Sequence, residues 1–400
     1  MKGEAVLADV DQYFEENYRV SHALFCQQAH ELGMPMEISP AFGIGSDGRA
    51  VHCAVAMHQP DEKSDSCLVI STGLHGVEAP FGCAVLSRCF QLWRRAGLPG
   101  CKLVLLHALN PYGFSHLRRV DDGNRDLNRN FRDWQSATDC EANSETDALY
   151  AALNPLLNPH KELPRSALSF YAKALLAIGK HGYVRVRDAV AGGQYDFPKG
   201  LFFGGAGPAP QLDWLEDRFP SWLQGVQRCV HIDLHTGLGK HATAQLFLES
   251  PLDGQDLTRL KRAIGQIGQA ASLTELCVND EQQRGQAAQK REGQKRVYAA
   301  SGSFGSWMVR RRFTPEFHFA VAEFGTYSSL RVLHSLVCEN AYHFALQHGA
   351  SDSSTASGLV TARESLAEMF CPASAGWRSS TLDQSQRIID GAIRFLLSSS

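Results

Sequence analysis

His75 and Glu78 lie three positions apart and are residue types that can bind a cation together. If a turn or a helix start brings them together, a further histidine, His235, would complete a His/Glu/His set. Such a set suits Zn²⁺ and leaves a fourth position for water. The pair alone is weak evidence, because a chain with 16 histidines should contain about one His-x-x-Glu by chance. His75 alone could equally be a strand-end histidine that bonds to backbone.

Polar residues at the ends of four apolar runs support the metal-site interpretation. In open α/β sheets, ligands bind just beyond the carboxyl ends of the strands. The four runs end in Gly73-Leu-His75-Gly-Val-Glu78, His107-Ala-Leu-Asn110, Asp233-Leu-His235 and Glu323-Phe-Gly-Thr326. We therefore expect these side chains to meet at one edge of a sheet.

The segment Asn124-Arg-Asp-Leu-Asn-Arg-Asn-Phe131 alternates charges and amides around single apolar residues. One interpretation is a solvated surface. The other is a set of donors that converge on an anion, because a guanidinium next to a carboxamide can hold a carboxylate through paired hydrogen bonds.

The hydrophobic pattern predicts the elements that must position these residues. Two buried strands, 67–72 and 102–107, flank a helix at 79–95, which is the order of a crossover unit. Further strands are predicted at 229–235, 244–249 and 318–324, a hairpin around 46–48, and helices within 1–40 and at 141–153, 165–180, 254–271 and 330–348. We expect a mixed, mostly parallel twisted α/β sheet with helices on both faces.

The chain is expected to divide near residue 350. Residues 1–350 would form the catalytic domain, in which 133–225 is an insertion that covers the cleft. The glycine-rich stretch 191–208 matches no phosphate-binding loop and is expected to be an ordered cleft loop. Residues 351–400 would form a linker and a C-terminal helical appendage.

Composition excludes several classes of protein. The 400 residues are 44% hydrophobic and 20% charged, and the net charge of -3 gives no electrostatic case for nucleic acid or an anionic membrane. The 11 cysteines include no Cys-x-x-Cys pair, which favours buried thiols in a reducing compartment. Because the first residues carry acids and no apolar run approaches the roughly 18 residues of a membrane span, we expect a cytoplasmic protein.

Together the ordered motifs resemble the zinc carboxypeptidase superfamily, which includes the aspartoacylase and succinylglutamate desuccinylase branch. They are most similar to an uncharacterised bacterial branch of that superfamily, from about residue 10 to about residue 345. The motifs are Gly73-Leu-His-Gly-Val-Glu78, Asn110-Pro-Tyr-Gly-Phe114, Arg118-Arg119, Asp126-Leu-Asn-Arg-Asn-Phe131, Gly192-Gly-Gln-Tyr195, Gly200-Leu-Phe-Phe-Gly-Gly205, Asp233-Leu-His-Thr-Gly-Leu-Gly239 and Glu323-Phe-Gly-Thr326.

The resemblance implies a zinc centre. It implies that His75, Glu78 and His235 bind one Zn²⁺ per chain. It also implies that Glu323 is the general base and acid. Asp126 would contact His75 on the side of the ring away from the metal and so fix its tautomer.

The resemblance also implies substrate contacts. Asn128 and Arg129 would hold the free carboxylate of the substrate. Arg119, or otherwise Arg118, would polarise the scissile carbonyl.

The superfamily's tyrosine above the substrate has two competing counterparts, Tyr195 and Tyr298. The function implied is a metallocarboxypeptidase-like or N-acyl amino acid amidohydrolase, which cleaves an amide bond next to a free carboxylate. Its substrate would be a small peptide or an N-acyl amino acid. The alternatives are a catalytically silent zinc- or ligand-binding protein of the same fold, and an α/β protein whose strand-end polar residues are structural.

Overall fold

The computed structural model describes residues 10–61, 64–135, 144–159, 163, 167–249, 258–259, 272–275, 302–347 and 353–398. These residues form one eight-stranded sheet with the strand order β1-β2-β4-β3-β5-β8-β6-β7. The strands are β1 (Met36–Ile38), β2 (Ala54–His58), β3 (Ser66–Thr72), β4 (Lys102–His107), β5 (Arg228–Gly237), β6 (Ala244–Leu248), β7 (Ser272–Glu275) and β8 (Glu316–Gly325).

The central strands β4, β3, β5 and β8 run parallel to one another. Antiparallel pairs form on either side of them, β1 with β2, β2 with β4, and β6 with β8, while β6 and β7 are parallel. Because the carboxyl ends of the parallel strands lie at one edge, the residues that follow β3, β5 and β8 meet there. The predicted mixed, mostly parallel sheet is confirmed.

Helices cover both faces of the sheet, as predicted. The helices of the described residues are α1 (Tyr18–Glu31), α2 (Ala79–Ala96), α3 (Pro111–His116), α4 (Ser144–Leu157), α5 (Ala167–His181), α6 (Tyr183–Ala191), α7 (Pro210–Trp222), α8 (Phe304–Arg311), α9 (Ser329–Gln347), α10 (Ser353–Phe370) and α11 (Ala375–Leu397). Helices α1, α2 and α11 pack on one face, and α7 and α8 on the other. Every residue of β3 is consequently buried.

The predicted crossover unit is present as β3, α2 and β4, with Cys67 opposite Lys102 in the parallel pair. Helix α2 ends where Gly97 adopts a φ of +89°, a left-handed conformation that glycine adopts without strain. The predicted helices at 141–153, 165–180 and 330–348 correspond to α4, α5 and α9.

The N-terminal residues differ from the prediction that the first forty residues are helical. Among the described residues the helix spans only Tyr18–Glu31, and the Asn17 side chain caps its first turn. Gly33, with a φ of +67°, ends it before β1. The predicted hairpin around 46–48 is present. Ile44 forms a bridge with Ala50, and the Phe42 amide donates to the Val51 carbonyl. The two arms continue into the antiparallel pair of β1 and β2.

The C-terminal helices also differ from the expected linker and appendage. Residues 353–358 already belong to α10. Helix α11 contributes Trp377, Leu382 and Ile388 to the core beside the sheet, so it is not peripheral. The expected domain division near residue 350 and the cleft-covering role of 133–225 stay predictions.

The helix predicted at 254–271 lies outside the described residues except for 258–259. None of the described helices is both long enough and apolar enough to cross a membrane. The nine cysteines of the described segments are all free thiols.

Candidate metal centre and catalytic site

His75, Glu78 and His235 converge although His75 and His235 are 160 positions apart in the sequence. Each offers one ligand atom, and these atoms lie within 4.8 Å of one another. His75 follows β3, Glu78 ends the single turn Gly76–Glu78, and His235 is in β5. The three residues are only 3–4% exposed. The structure therefore brings together the three residues that the sequence predicts as metal ligands.

The turn that carries Glu78 depends on Gly76. A Cβ atom on Gly76 would lie 2.1 Å from the backbone carbon of Gly113, so no larger residue fits there without a shift of the backbone. The neighbouring amide of Val77 donates to the carbonyl of Arg118. The turn is thus fixed against the segment that follows β4.

Both imidazoles point the same ring nitrogen at Glu78. The Nδ1 atoms of His75 and His235 lie 2.8 and 3.1 Å from the two oxygens of that carboxylate. The opposite nitrogens contact other carboxylates, His75 Nε2 at 3.1 Å from Asp126 and His235 Nε2 at 2.6 Å from Asp233. A carboxylate that accepts from Nε2–H leaves the Nδ1 lone pair of that ring available for a metal. At His75 the Arg119 guanidinium, which can only donate, also lies 2.8 Å from Nε2, so this nitrogen has both an acceptor and a donor beside it.

The chemistry of this donor set fits Zn²⁺. Two imidazoles and one carboxylate are a known ligand combination for catalytic zinc, and a fourth position remains for water or substrate. Burial acts to raise the pKa of Glu78, but the adjacent imidazoles of His75 and His235 outweigh it and hold that pKa below its usual range. Glu78 is thus ionised, as a carboxylate ligand must be.

Glu323 lies next to the predicted ligands because His235 and Glu323 are directly paired across β5 and β8. Its Oε1 accepts a hydrogen bond of 2.8 Å from the amide of Leu238. Burial and the charge of Glu78 raise the pKa of Glu323 to about 7. A carboxyl group with a pKa near neutrality is suited to taking up and returning a proton.

Arg119 lies at the cluster, whereas its neighbour Arg118 does not. The Arg119 guanidinium is 3.0 Å from Asp126 and 3.4 Å from Glu78. Burial acts to raise the pKa of Asp126, but Arg119 and His75 together outweigh burial and hold that pKa well below its usual range. Arg118 is fully buried and donates to Glu339 at 2.7 Å, away from the ligands. Of the two arginines, only Arg119 contacts the predicted ligands, and the choice between them as the donor to a carbonyl stays a prediction.

Asn128 and Arg129 bind protein backbone in this structure. The Asn128 side-chain oxygen accepts from the amide of Phe304 at 3.0 Å. The buried Arg129 guanidinium donates to the carbonyls of Asn128, at 2.7 Å, and Ala191, at 3.1 Å. Their role as a clamp for a substrate carboxylate stays a prediction.

Tyr195 is fixed beside Arg129. Its hydroxyl donates to the Arg129 carbonyl at 2.7 Å, and its ring centroid is 4.5 Å from the Arg132 guanidinium carbon. Tyr298 lies outside the described residues. A tyrosine above the substrate therefore stays a prediction.

The segment 124–130 also holds the glycine-rich stretch, a role that the sequence analysis did not anticipate. Asn124 and Asn130 donate to the carbonyls of Gly200 and Gly204 at 3.1 and 2.7 Å. The Asp126 amide donates to the Phe203 carbonyl at 2.7 Å. The two asparagines are visible in the sequence as part of an amide-rich run, but nothing in that run indicates their partners.

Two phenylalanines border the site. The ring of Phe202 lies 5.4 Å from the Arg119 guanidinium carbon. On the other side, Phe370 and Glu323 both lie next to Gly237. A Cβ atom added to Gly237 would be 3.1 Å from the ring of Phe370 and 3.8 Å from the Glu323 carboxyl group. Phe202 belongs to the predicted cleft loop. No sequence signal pointed to Phe370, because it ends α10, in the region expected to be an appendage.

Comparisons with known proteins were made by sequence and by structure. A protein-family model described as "Protein of unknown function (DUF2817)" matches residues 14–384. No curated protein matches the chain with significance.

Similar solved structures are those of metallopeptidases, carboxypeptidases and an aspartoacylase family protein, the kinds of protein that the sequence resembles. Carboxypeptidase A from Helicoverpa armigera is 13% identical, with a TM-score of 0.43 over 88% of this chain and 74% of that chain. An aspartoacylase family protein from Mesorhizobium loti is 14% identical, with a TM-score of 0.36 over 77% and 67%. Thrombin activatable fibrinolysis inhibitor is 11% identical, with a TM-score of 0.45 over 90% and 76%. Similarity at these identities and TM-scores does not indicate which activity this chain has.

Proposed function

This chain belongs to the DUF2817 family of proteins of unknown function, and we propose that it is a zinc-dependent hydrolase that cleaves an amide bond next to a free carboxylate. The observation that carries the proposal is the buried cluster of His75, Glu78 and His235 with Glu323 paired beside it. A buried carboxyl of near-neutral pKa beside a set of metal ligands is typical of a catalytic site.

The proposed metal ligands are the two Nδ1 atoms and the Glu78 carboxylate, with one Zn²⁺ per chain. Bound there, zinc would supply a Lewis acid for the carbonyl and lower the pKa of a water molecule to about 7. Asp126 and Asp233 contribute by holding the two imidazoles in the tautomer and orientation that present Nδ1.

Glu323 is the proposed general base and acid. Its carboxylate accepts the proton of the attacking water and then donates that proton to the leaving amine. The Leu238 amide fixes one carboxylate oxygen, so the other is free to face the water.

Arg119 is the proposed donor to the oxygen of the scissile carbonyl. Asp126 holds its Nε, and this contact orients the guanidinium plane toward the ligands. Negative charge that develops on the substrate oxygen is stabilised by such a fixed donor, typically by roughly 3–4 kcal/mol.

The proposed substrate is a peptide C-terminus or an N-acyl amino acid. Its free carboxylate would be held by Arg129 with Asn128. In the bound state the Arg129 guanidinium would exchange its contact with the Ala191 carbonyl for the substrate. Since Phe202 and Phe370 border the site, substrates with an apolar group beside the scissile bond are the first to test.

The test is hydrolysis of a panel of blocked dipeptides and N-acyl amino acids by zinc-loaded protein. Glu323→Gln is expected to retain zinc and to lose turnover by about 10²–10⁴-fold, because the proton acceptor is lost while the ligands remain. Glu316→Gln is the matched control, since Glu316 begins the same strand and pairs with Arg228 outside the site. This control is expected to retain both zinc and turnover.

Two results would contradict the proposal. Unchanged turnover by Glu323→Gln would remove Glu323 from the mechanism. Full zinc occupancy without hydrolysis of any amide or ester in the panel would instead favour the catalytically silent binding protein.

A further inference from the structure

A row of buried polar side chains lies behind His235 on β5. His231, Asp233 and His235 alternate along the strand with Val230, Ile232 and Leu234, which join the core on the opposite face. Because successive residues of a strand point to opposite faces, the three polar residues lie on one face. Only the last of them is a predicted metal ligand.

Ser71 of β3 connects this row. It is the direct partner of Asp233 in the parallel pairing of β3 and β5. The Ser71 hydroxyl oxygen lies 2.6 Å from Asp233 Oδ1 and 2.7 Å from His231 Nε2. The other Asp233 oxygen is 2.6 Å from His235 Nε2. Ser71, His231 and Asp233 are at most 1% exposed, so water does not replace these contacts.

The chemistry of the groups sets the direction of each hydrogen bond. An ionised carboxylate only accepts, and a serine hydroxyl has a single proton. Asp233 therefore takes the Ser71 proton on one oxygen and the Nε2 proton of His235 on the other. Ser71, having donated its proton, must accept from Nε2 of His231.

The surroundings of His231 agree with this direction. Its ring lies among those of Phe304 and Phe319, at centroid distances of 5.5 and 4.6 Å. Its Nδ1 has no hydrogen-bond partner among the residues that the structure describes, so it suits a bare lone pair better than a proton. Burial lowers the pKa of His231 to about 4, which keeps the ring neutral.

We propose that Ser71 and His231 are positioning residues for the metal centre, forming a one-directional hydrogen-bond chain through Asp233 that fixes the tautomer and the orientation of His235. The chain ends at Nδ1 of His235, which lies 3.1 Å from Glu78 and would offer its lone pair to the metal. The inference rests on the proposed zinc centre. It predicts that Ser71 and His231, which have no contact with the metal, influence the affinity of the site for zinc.

The experiment measures zinc affinity by competition with a chromophoric chelator, without any substrate. Ser71→Ala leaves Asp233 Oδ1 without its donor and is expected to weaken zinc binding about tenfold, the lower end of what outer partners of metal ligands contribute. His231→Leu removes the first donor and should weaken binding in the same direction. His231→Gln offers an amide N–H and should restore part of the loss.

A double-variant cycle separates this chain from general destabilisation. If Ser71 transmits the effect of His231, His231→Leu changes zinc affinity little once Ser71 is alanine. The control is Ser66→Ala, a buried serine of the same strand whose hydroxyl contacts Asp65 and a backbone carbonyl. It should bind zinc as the wild type does, and thermal unfolding of the metal-free variants reports any loss of fold.

The outcomes distinguish this inference from the proposed function. Zinc bound equally by the wild type, Ser71→Ala and His231→Leu would overturn the inference and leave the zinc hydrolase intact. Additive losses in the cycle would also overturn it, because they would mean that the two residues act separately. A wild type that binds no zinc would overturn both.

Discussion

Replacing Glu323 with glutamine is expected to stabilise the metal-free protein above neutral pH. The carboxyl is only 7% exposed and lies near the charge of Glu78, and together these raise its pKa from 4.5 to about 7. Glutamine has nearly the same shape, and its oxygen can accept the same hydrogen bond from Leu238. The substitution therefore removes the charge and leaves the packing nearly unchanged.

The sign of this change in stability follows from the number of protons that the folded and the unfolded chain bind. Between pH 4.5 and 7 the folded protein keeps the Glu323 proton that the unfolded chain has already released. The stability linked to this proton is fully present below pH 4.5 and is lost as the pH rises through 7. The raised pKa corresponds to about 3 kcal/mol in the free energy of unfolding, at about 1.4 kcal/mol for each pH unit. The advantage of Glu323→Gln over the wild type should thus be small at pH 5 and about 2–3 kcal/mol larger at pH 8.

The assay is urea denaturation at pH 5 and pH 8 with a chelator present. The matched control is Glu316→Gln, because Arg228 and His318 outweigh partial burial and lower the pKa of Glu316, so its neutralisation should cost stability at pH 8. With zinc added, the advantage of Glu323→Gln should shrink, since a cation stabilises the Glu323 carboxylate. A pH-independent difference between Glu323→Gln and the wild type would refute the reasoning.

Further predictions concern the residues around the ligands. Arg119→Ala should lower kcat on the best substrate by about 10²–10³-fold while zinc stays bound, and Arg119→Lys should recover part of the lost kcat. Steady-state kinetics with zinc analysis would check this. An unchanged kcat would exclude Arg119 as the donor to the carbonyl oxygen. Asp126→Asn should weaken zinc binding about 10–100-fold, because a neutral amide is a weaker acceptor for His75 Nε2 than a carboxylate and its NH2 group can turn toward the ring instead. Equal affinity in a competition titration would show that Asp126 does not position His75.

The ligand cluster could be predicted from the sequence because parallel strands deliver their ends to one edge. The apolar runs before His75, His235 and Glu323 are recognisable as buried strands. Because these strands are parallel, their carboxyl ends lie at the same edge of the sheet. The pairing of β3 with β5 could not be predicted, because each strand is apolar enough to pair with several others. The contact between Ser71 and Asp233 depends on that register.

Other parts of the site depend on tertiary packing that leaves no local pattern. Arg118 and Arg119 are adjacent and identical in type, and only the packing of the segment against α9 sends Arg118 to Glu339. Phe370 ends a helix whose own pattern says nothing about Glu323. Arg129 illustrates the opposite case, in which a motif suggests a ligand contact and the structure shows a backbone contact.

The most direct test of the central claim is the zinc content of protein purified without chelators. We expect close to one zinc per chain in the wild type. The control His58→Ala should bind the same amount, because His58 contacts the Pro99 carbonyl far from the cluster. His75→Ala and His235→Ala should each lose most of it, because each removes one of three ligands. Zinc retained at the wild-type level in either variant, or a wild type that takes up no zinc when it is supplied, would contradict the account.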